Sequence, residues 1–268
     1  MQNIHQYLEY LQQINFDIRR RFYESDNSYY HRVLISYYAS NVNYKNSQWI
    51  SLSNWAEICP KGSGNRLPIN KNDLLEHECY CLRIKDVCPE DWLIPTELNT
   101  EPAHQLPKRA TYKPVRDDIL LSRFKEPLGK CVIYDGKLKP LYASSNFFLL
   151  RAKPNISPLL LLGLLKSSFL ANQFHTLIKR RSLIAEMFQN QVDQIMLPNL
   201  PPNLQEEVVY MAKRRLDAEE QYRNQKDVGE ENREESEEKK GLSIEVMNET
   251  DITIDKTIYL FQKNSNHA

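Results

Sequence analysis

Asp118-Ile119-Leu120-Leu121-Ser122-Arg123 is the stretch that decides how this 268-residue chain is read. Three consecutive branched apolar residues, bounded by an aspartate and a Ser-Arg pair, form too short a run for a helix. They fit a strand, Ile119–Ser122, with Asp118 as the turn residue that opens it. Outward from it, further candidate strands lie at Ile50–Leu52, Cys79–Lys85, Lys130–Tyr134 and Phe147–Arg151, in a region where proline and glycine recur. Asp135-Gly136 reads as a hairpin-type turn behind one of them. The expected class is α+β, with an irregular sheet and long loops.

The flanks read as helices. Ile4, Tyr7, Leu8, Leu11, Ile14 and Ile18 recur at helical spacing within residues 3–23, and a second helix is expected over Tyr29–Asn41. Ser157-Pro158 opens another, with serine as cap and proline at the first position. It is expected to reach about Phe174, followed by a basic loop at Lys179-Arg180-Arg181, a short helix Leu183–Gln191 and a strand Gln194–Leu197. Asn203 and Glu206 resemble a capping box for a last long helix ending near Lys226. Leu204, Val208 and Met211, later Ala218 and Tyr222, give that helix a heptad-like stripe, which Arg215 interrupts. Roughly three heptads are marginal alone, so this helix needs a partner in its own chain or another. Residues 227–241 are acidic and poor in apolar residues, so they read as flexible. Residues 242–263 regain alternation at Ile252, Ile254, Ile258 and Leu260, which suggests short strands or a docking peptide. The expected segments are 1–45 (helical), 46–198 (the domain), 199–226 (the long helix) and 227–268 (an acidic flexible tail).

Net charge is zero, with 35 bases and 35 acids, but the balance is uneven. Residues 227–268 carry 11 acids and 5 bases, which leaves 30 bases and 24 acids in residues 1–226, a net of +6. The folded-looking part is basic, and residues 108–139 alone hold 9 bases against 4 acids. This is compatible with a nucleic-acid partner. The five cysteines, with no apolar leader in residues 1–20, read as reduced thiols in the cytoplasm. The longest apolar run, Ile156–Leu165, falls short of the ~20 residues that span a bilayer, so no membrane partner is expected.

Catalytic signatures are absent. The chain has no phosphate-cradling glycine loop, no nucleophile elbow, no spaced histidine pair, and neither the glycine loop nor the Asn-Pro-Pro-Tyr-like turn of a methyltransferase. Asp117, Asp118 and Lys125 could form a metal-dependent nuclease centre, but Asp118 reads better as the opener of a strand. His77, Cys79, Cys81 and Cys88 do not have zinc-pair spacing, and buried thiols are the commoner outcome. No catalytic residue, metal or cofactor is expected.

The order of the segments carries more than any one of them. Gln48-Trp49-Ile50-Ser51-Leu52, the glycine-bearing Lys61-Gly62-Ser63-Gly64-Asn65, and Leu82-Arg83-Ile84-Lys85-Asp86-Val87 follow one another. Next come Asp118–Arg123, Leu128-Gly129-Lys130, Ala143–Arg151, and Ile195-Met196-Leu197-Pro198 with Pro201-Pro202. This ordered set, over roughly residues 47–226, resembles the target-recognition domain and spacer helix of type I restriction–modification specificity (S) subunits. Asp117 stands where that family usually has glycine. Full-length S subunits carry two recognition domains and two spacer helices, and here there is one of each.

The resemblance implies a non-catalytic, sequence-specific DNA-binding half-subunit. Its partners would be double-stranded DNA, an adenine-N6 DNA methyltransferase subunit, an endonuclease subunit, and a second half-subunit or copy of itself joined through helix 199–226. DNA contacts are expected from Lys61, Ser63, Asn65 and Arg66, from Arg123, Lys125 and Lys130, from Ser144, Ser145 and Asn146, and from Lys179, Arg180 and Arg181. Arginine, asparagine, glutamine and serine reach base edges, while lysine and arginine anchor phosphates. A solvated basic surface is the plain alternative for such clusters. Ser144–Asn146 read equally well as residues that cap or pair strands. A protein-interaction module of a defence system, without DNA binding, is the alternative function.

Overall fold

A computed structural model describes residues 48–59, 78–102, 106, 110–124, 130–167, 169–170, 173, 186–225 and 233–265. The helices expected within residues 1–45 and the segments holding Lys61–Arg66, Lys125 and Lys179–Arg181 lie outside these.

The described elements run β1 (Trp49–Ser51), α1 (Leu52–Trp55), β2 (Ala56–Cys59), β3 (Glu78–Leu82), a 3-10 turn (Ile84–Asp86), β4 (Thr100–Pro102), β5 (Ala110–Tyr112), β6 (Ile119–Ser122), β7 (Cys131–Ile133), β8 (Leu141–Ser144), β9 (Phe147–Ala152), α2 (Pro158–Lys166), α3 (Gln189–Val192), β10 (Met196–Pro198), α4 (Pro202–Asn224) and α5 (Arg233–Ser265). They make two four-stranded sheets, ordered β2-β9-β6-β7 and β4-β3-β8-β5, and a small β1-β10 pair. All pairings are antiparallel except β3 with β8. The class is α+β.

The two-residue period of the strands builds three layers. Leu120, Val132, Phe147 and Leu149 point from the β2-β9-β6-β7 sheet onto Leu82, Tyr112, Leu141 and Ala143 of the other sheet. Ile119, Leu121, Cys131, Ile133, Phe148 and Leu150 point the opposite way, onto Leu160–Leu165 of α2, Val208 and Ala212 of α4, and Ile254 and Ile258 of α5. Strand β6 is therefore buried on both faces. This is why Ile119-Leu120-Leu121 is continuously apolar rather than alternating. Gly163 sits where α2 meets α4: a Cβ there would stand 2.9 Å from Val208 Cγ1, so the close approach requires glycine.

Asp117 adopts φ 71°, the left-handed conformation that glycine takes most easily and aspartate tolerates. Its neighbour Asp118 is fully buried. Asp118 accepts hydrogen bonds from Val115 N at 2.8 Å and from Arg151 Nε and Nη2 at 2.8 and 2.7 Å. That carboxylate ties the start of β6 to β9, which removes it from the nuclease arrangement. Replacing Asp117 with glycine should leave the fold intact and not lower stability, whereas valine there should cost about 1–2 kcal/mol, measurable as a urea midpoint shift.

Several sequence expectations need correction. Asp135-Gly136 turns sharply, with Gly136 at φ 82°, but it closes no hairpin, because β7 and β8 belong to different sheets. The expected strand Phe147–Arg151 lies within β9, whereas Ala143 and Ser144, which precede it in the same quoted segment, end β8 in the other sheet. Helix α4 begins at Pro202 with Pro201 as its N-cap and no side-chain cap, so Asn203 and Glu206 form no capping box. Residues 233–265 are a 33-residue helix rather than a flexible stretch followed by strands. The spacing of Thr250, Ile254, Thr257 and Ile258, all buried, is helical once this helix lies against α4. The two helices run antiparallel: Ser236 Oγ donates to Gln225 O at 2.9 Å, Arg214 pairs with Glu249 at 3.4 Å, and Arg215 with Asp251 at 3.4 Å. The long helix thus finds its partner within its own chain.

Candidate nucleic-acid interface

The register places several chain ends together. Leu121 pairs with Phe148 and Ser122 with Phe147, so β6 ends where β9 begins. Leu121 pairs with Cys131, so β7 starts at the same end. In the second sheet, Ala110 pairs with Ser144 and Leu82 with Ala143, which puts the start of β5 and the finish of β3 beside the finish of β8. Cys59, the last residue of β2, pairs with Leu149. Phe124 bridges Glu186, and Met187 N donates to Arg123 O at 2.6 Å. The described residues that flank the segments 60–77, 107–109, 125–129 and 174–185 therefore include Cys59, Ala110, Phe124, Lys130 and Glu186, all at the end of the sandwich marked by the turn Ser145-Asn146.

The nominated contact residues that are described divide into frame and surface. Arg123 is 2% exposed. Its Nε donates to Phe147 O at 3.0 Å, its Nη2 to Tyr112 Oη at 3.2 Å, and its guanidinium lies 3.7 Å from the Phe148 ring centre. Lys130 is 8% exposed and donates from Nζ to Ile84 O at 2.8 Å. Both were expected to touch DNA. Burial commits them instead to joining the two sheets beneath this end. Ser144 is buried as well, and its Oγ accepts from Asn146 N at 3.3 Å, closing the turn. Ser145 and Asn146 are partly exposed at its tip. Lys61, Ser63, Asn65, Arg66, Lys125, Lys179, Arg180 and Arg181 lie outside the described residues.

On the helical side sits a polar joint that the sequence reading missed. Glu219 of α4, 4% exposed, accepts from Trp92 N at 3.0 Å and Leu93 N at 3.2 Å. It pairs with Arg215 at 3.0 Å and also with Arg223. Arg215 Nη2 donates to Glu90 O at 2.8 Å, and Arg223 donates to Ile94 O at 2.9 Å and Leu93 O at 3.0 Å. Lys166 of α2 donates to Pro89 O at 2.6 Å and Asp91 O at 2.8 Å. Segment 89–94 is thereby clamped to α2 and α4, which fixes the direction of the helical arm relative to the sheets. The signal was present in the sequence: 215, 219 and 223 are spaced i, i+4, i+8, and Arg215 breaks the apolar stripe.

Burial in this region also shifts two titrations. The Cys131 thiol, fully buried, is pushed up from 9.0 to about 12 by desolvation, which nearby Lys166 partly offsets. Burial pushes the Lys166 ammonium down, and charge on Cys131 and Asp251 opposes this. Below pH 9 the Cys131 thiol holds its proton in both folded and unfolded chains. Above that the unfolded chain ionises first, so the stability this thiol contributes falls as pH rises toward 12. Lys166, with its folded value lowered, acts in the opposite direction as pH approaches 10.5. Comparing wild type with Cys131→Ala isolates the thiol. The wild type's advantage should shrink by about 2 kcal/mol between pH 8 and 10.5, followed by urea unfolding at each pH.

Among the described residues no helix is long and apolar enough to cross a membrane. No protein-family model matches the chain, and no curated protein matches it. Solved structures do. A chain from a study of complex assembly and conformational transition of the type I restriction–modification system aligns with TM-score 0.50 and 20% identity, over 66% of this chain and 43% of that one. The HsdS subunit from Thermoanaerobacter tengcongensis aligns with TM-score 0.48 and 18% identity, over 66% and 44%. The type IIG restriction endonuclease BpuSI aligns with TM-score 0.46 and 11% identity, over 85% and 33%. The chain thus spans less than half the length of each of these three. It shares its fold with the first.

Proposed function

We propose that the chain is the sequence-specific DNA-recognition component of a restriction–modification system: a non-catalytic target-recognition unit that binds double-stranded DNA. The observation that carries this reading is the meeting, at the Ser145-Asn146 end of the sandwich, of residues flanking the segments that hold Lys61–Arg66, Lys108-Arg109, Lys125 and Lys179–Arg181. Described residues that flank segments far apart in sequence meet at one end, as a DNA-reading surface requires, and most of those segments are basic by composition. The fold shared with a type I restriction–modification chain supports the same reading, as does the ordered set of sequence segments.

Phosphates would be anchored by Lys61, Arg66, Lys125, Lys179, Arg180 and Arg181, and base edges read by Ser63, Asn65, Ser145 and Asn146. The partners would be an adenine-N6 DNA methyltransferase subunit, which the bound DNA is presented to, and an endonuclease subunit. Because α5 covers α4, pairing with a second recognition unit would use the remaining surface of the α4–α5 hairpin. Selection of bound duplexes from a random-sequence pool tests the proposal. Enrichment of one short sequence is expected, and recovery of an unenriched pool would contradict sequence-specific recognition.

A further inference from the structure

We propose that Lys85 is a DNA phosphate contact, carried on a turn that the buried Lys130 latches in place. The inference rests on the DNA-reading function proposed above. Strand β3 finishes beside Ala143, at the Ser145-Asn146 end of the sandwich. There the chain folds into the 3-10 turn Ile84–Asp86. Arg83 N donates to Asp86 Oδ2 at 2.7 Å, and Asp86 N donates to Arg83 O at 3.0 Å, so the turn is closed on itself. The Arg83 guanidinium is taken up by Glu101. Lys130 Nζ, reaching across from the start of β7, holds Ile84 O at 2.8 Å.

A buried ammonium satisfied by a backbone carbonyl is a costly device, since an apolar side chain fills such a space without desolvating a charge. Among the described residues no carboxylate pairs with Lys130, and its one hydrogen bond there fixes this turn. What the turn presents is Lys85: exposed, flanked by residues whose polar groups are engaged, and without an anionic partner among the described residues. A rigidly mounted lysine at the end where the candidate loops attach is suited to a phosphate. Lys130, expected from sequence to touch DNA itself, acts as a positioning residue.

The test uses the full chain and a random-sequence duplex, with fluorescence anisotropy over a salt series. Lys85→Ala should melt at the wild-type temperature, bind more weakly, and lower the slope of log K against log salt by about 0.9. Lys130→Met keeps the side-chain volume and removes the ammonium. It should weaken binding similarly, and the double variant should bind no worse than Lys85→Ala. If Lys130→Met fails to fold, Lys85→Ala alone decides. A wild-type slope and affinity in Lys85→Ala, with wild type binding, overturns this inference and leaves the DNA-reading proposal standing. Absence of wild-type binding at low salt removes both.

Discussion

Glu219→Ala is expected to destabilise the protein by about 3–5 kcal/mol, the range for removing one partner of a buried ion pair. The carboxylate is almost wholly buried and answers four groups: Trp92 N, Leu93 N, Arg215 and Arg223. Removing it leaves two backbone donors unsatisfied, with Arg215 at 4% exposure beside them. Arg223 is less buried and can turn toward water, so most of the loss comes from the Trp92-Leu93 amides and Arg215. Urea unfolding monitored by tryptophan fluorescence is the direct measurement, because Trp92 lies 5.5 Å from the Arg215 guanidinium. A loss below 1 kcal/mol would mean that the joint does not hold the arm.

The second large effect is expected at Ile258. This side chain is fully buried in the cluster that joins α5 to α2, α4 and the β2-β9-β6-β7 sheet. Truncation to alanine removes its burial and leaves a cavity, which together cost about 2–5 kcal/mol. The expectation separates two pictures of residues 233–265. In a solvated tail the same change would lie within about 0.5 kcal/mol of neutral. In the docked helix it should lower the melting temperature by several degrees and raise hydrogen exchange along α5.

The parts of this fold that were legible in the sequence are those where one local rule acts. Ile119–Ser122 appears where expected because an apolar run bounded by Asp118 and Arg123 admits little else. Ser157 accepts from Leu160 N at 3.5 Å at the start of α2, as a Ser-Pro pair predicts. What was missed depends on tertiary partners. Strands β4 and β5 have three residues each and carry no apolar periodicity of their own. Strand β8 is nearly as short, with four residues between Pro140 and the turn Ser145-Asn146. Helix α5 hides its periodicity behind hydroxyl residues: Ser243, Thr250 and Thr257 donate to carbonyls of their own helix while being buried. At the candidate interface, residue type alone misassigned Arg123 and Lys130. A basic side chain beside a strand end serves DNA or the core equally well until burial is known.

DNA reading by this chain is tested by binding to random-sequence duplex DNA over a salt series, wild type against Lys179/Arg180/Arg181→Ala. Binding is expected to weaken steeply with salt, with a slope shallower by up to about 2.7 in the variant, one phosphate per side chain removed. No binding by the wild-type chain at low salt, or identical slopes for the two proteins, would contradict it.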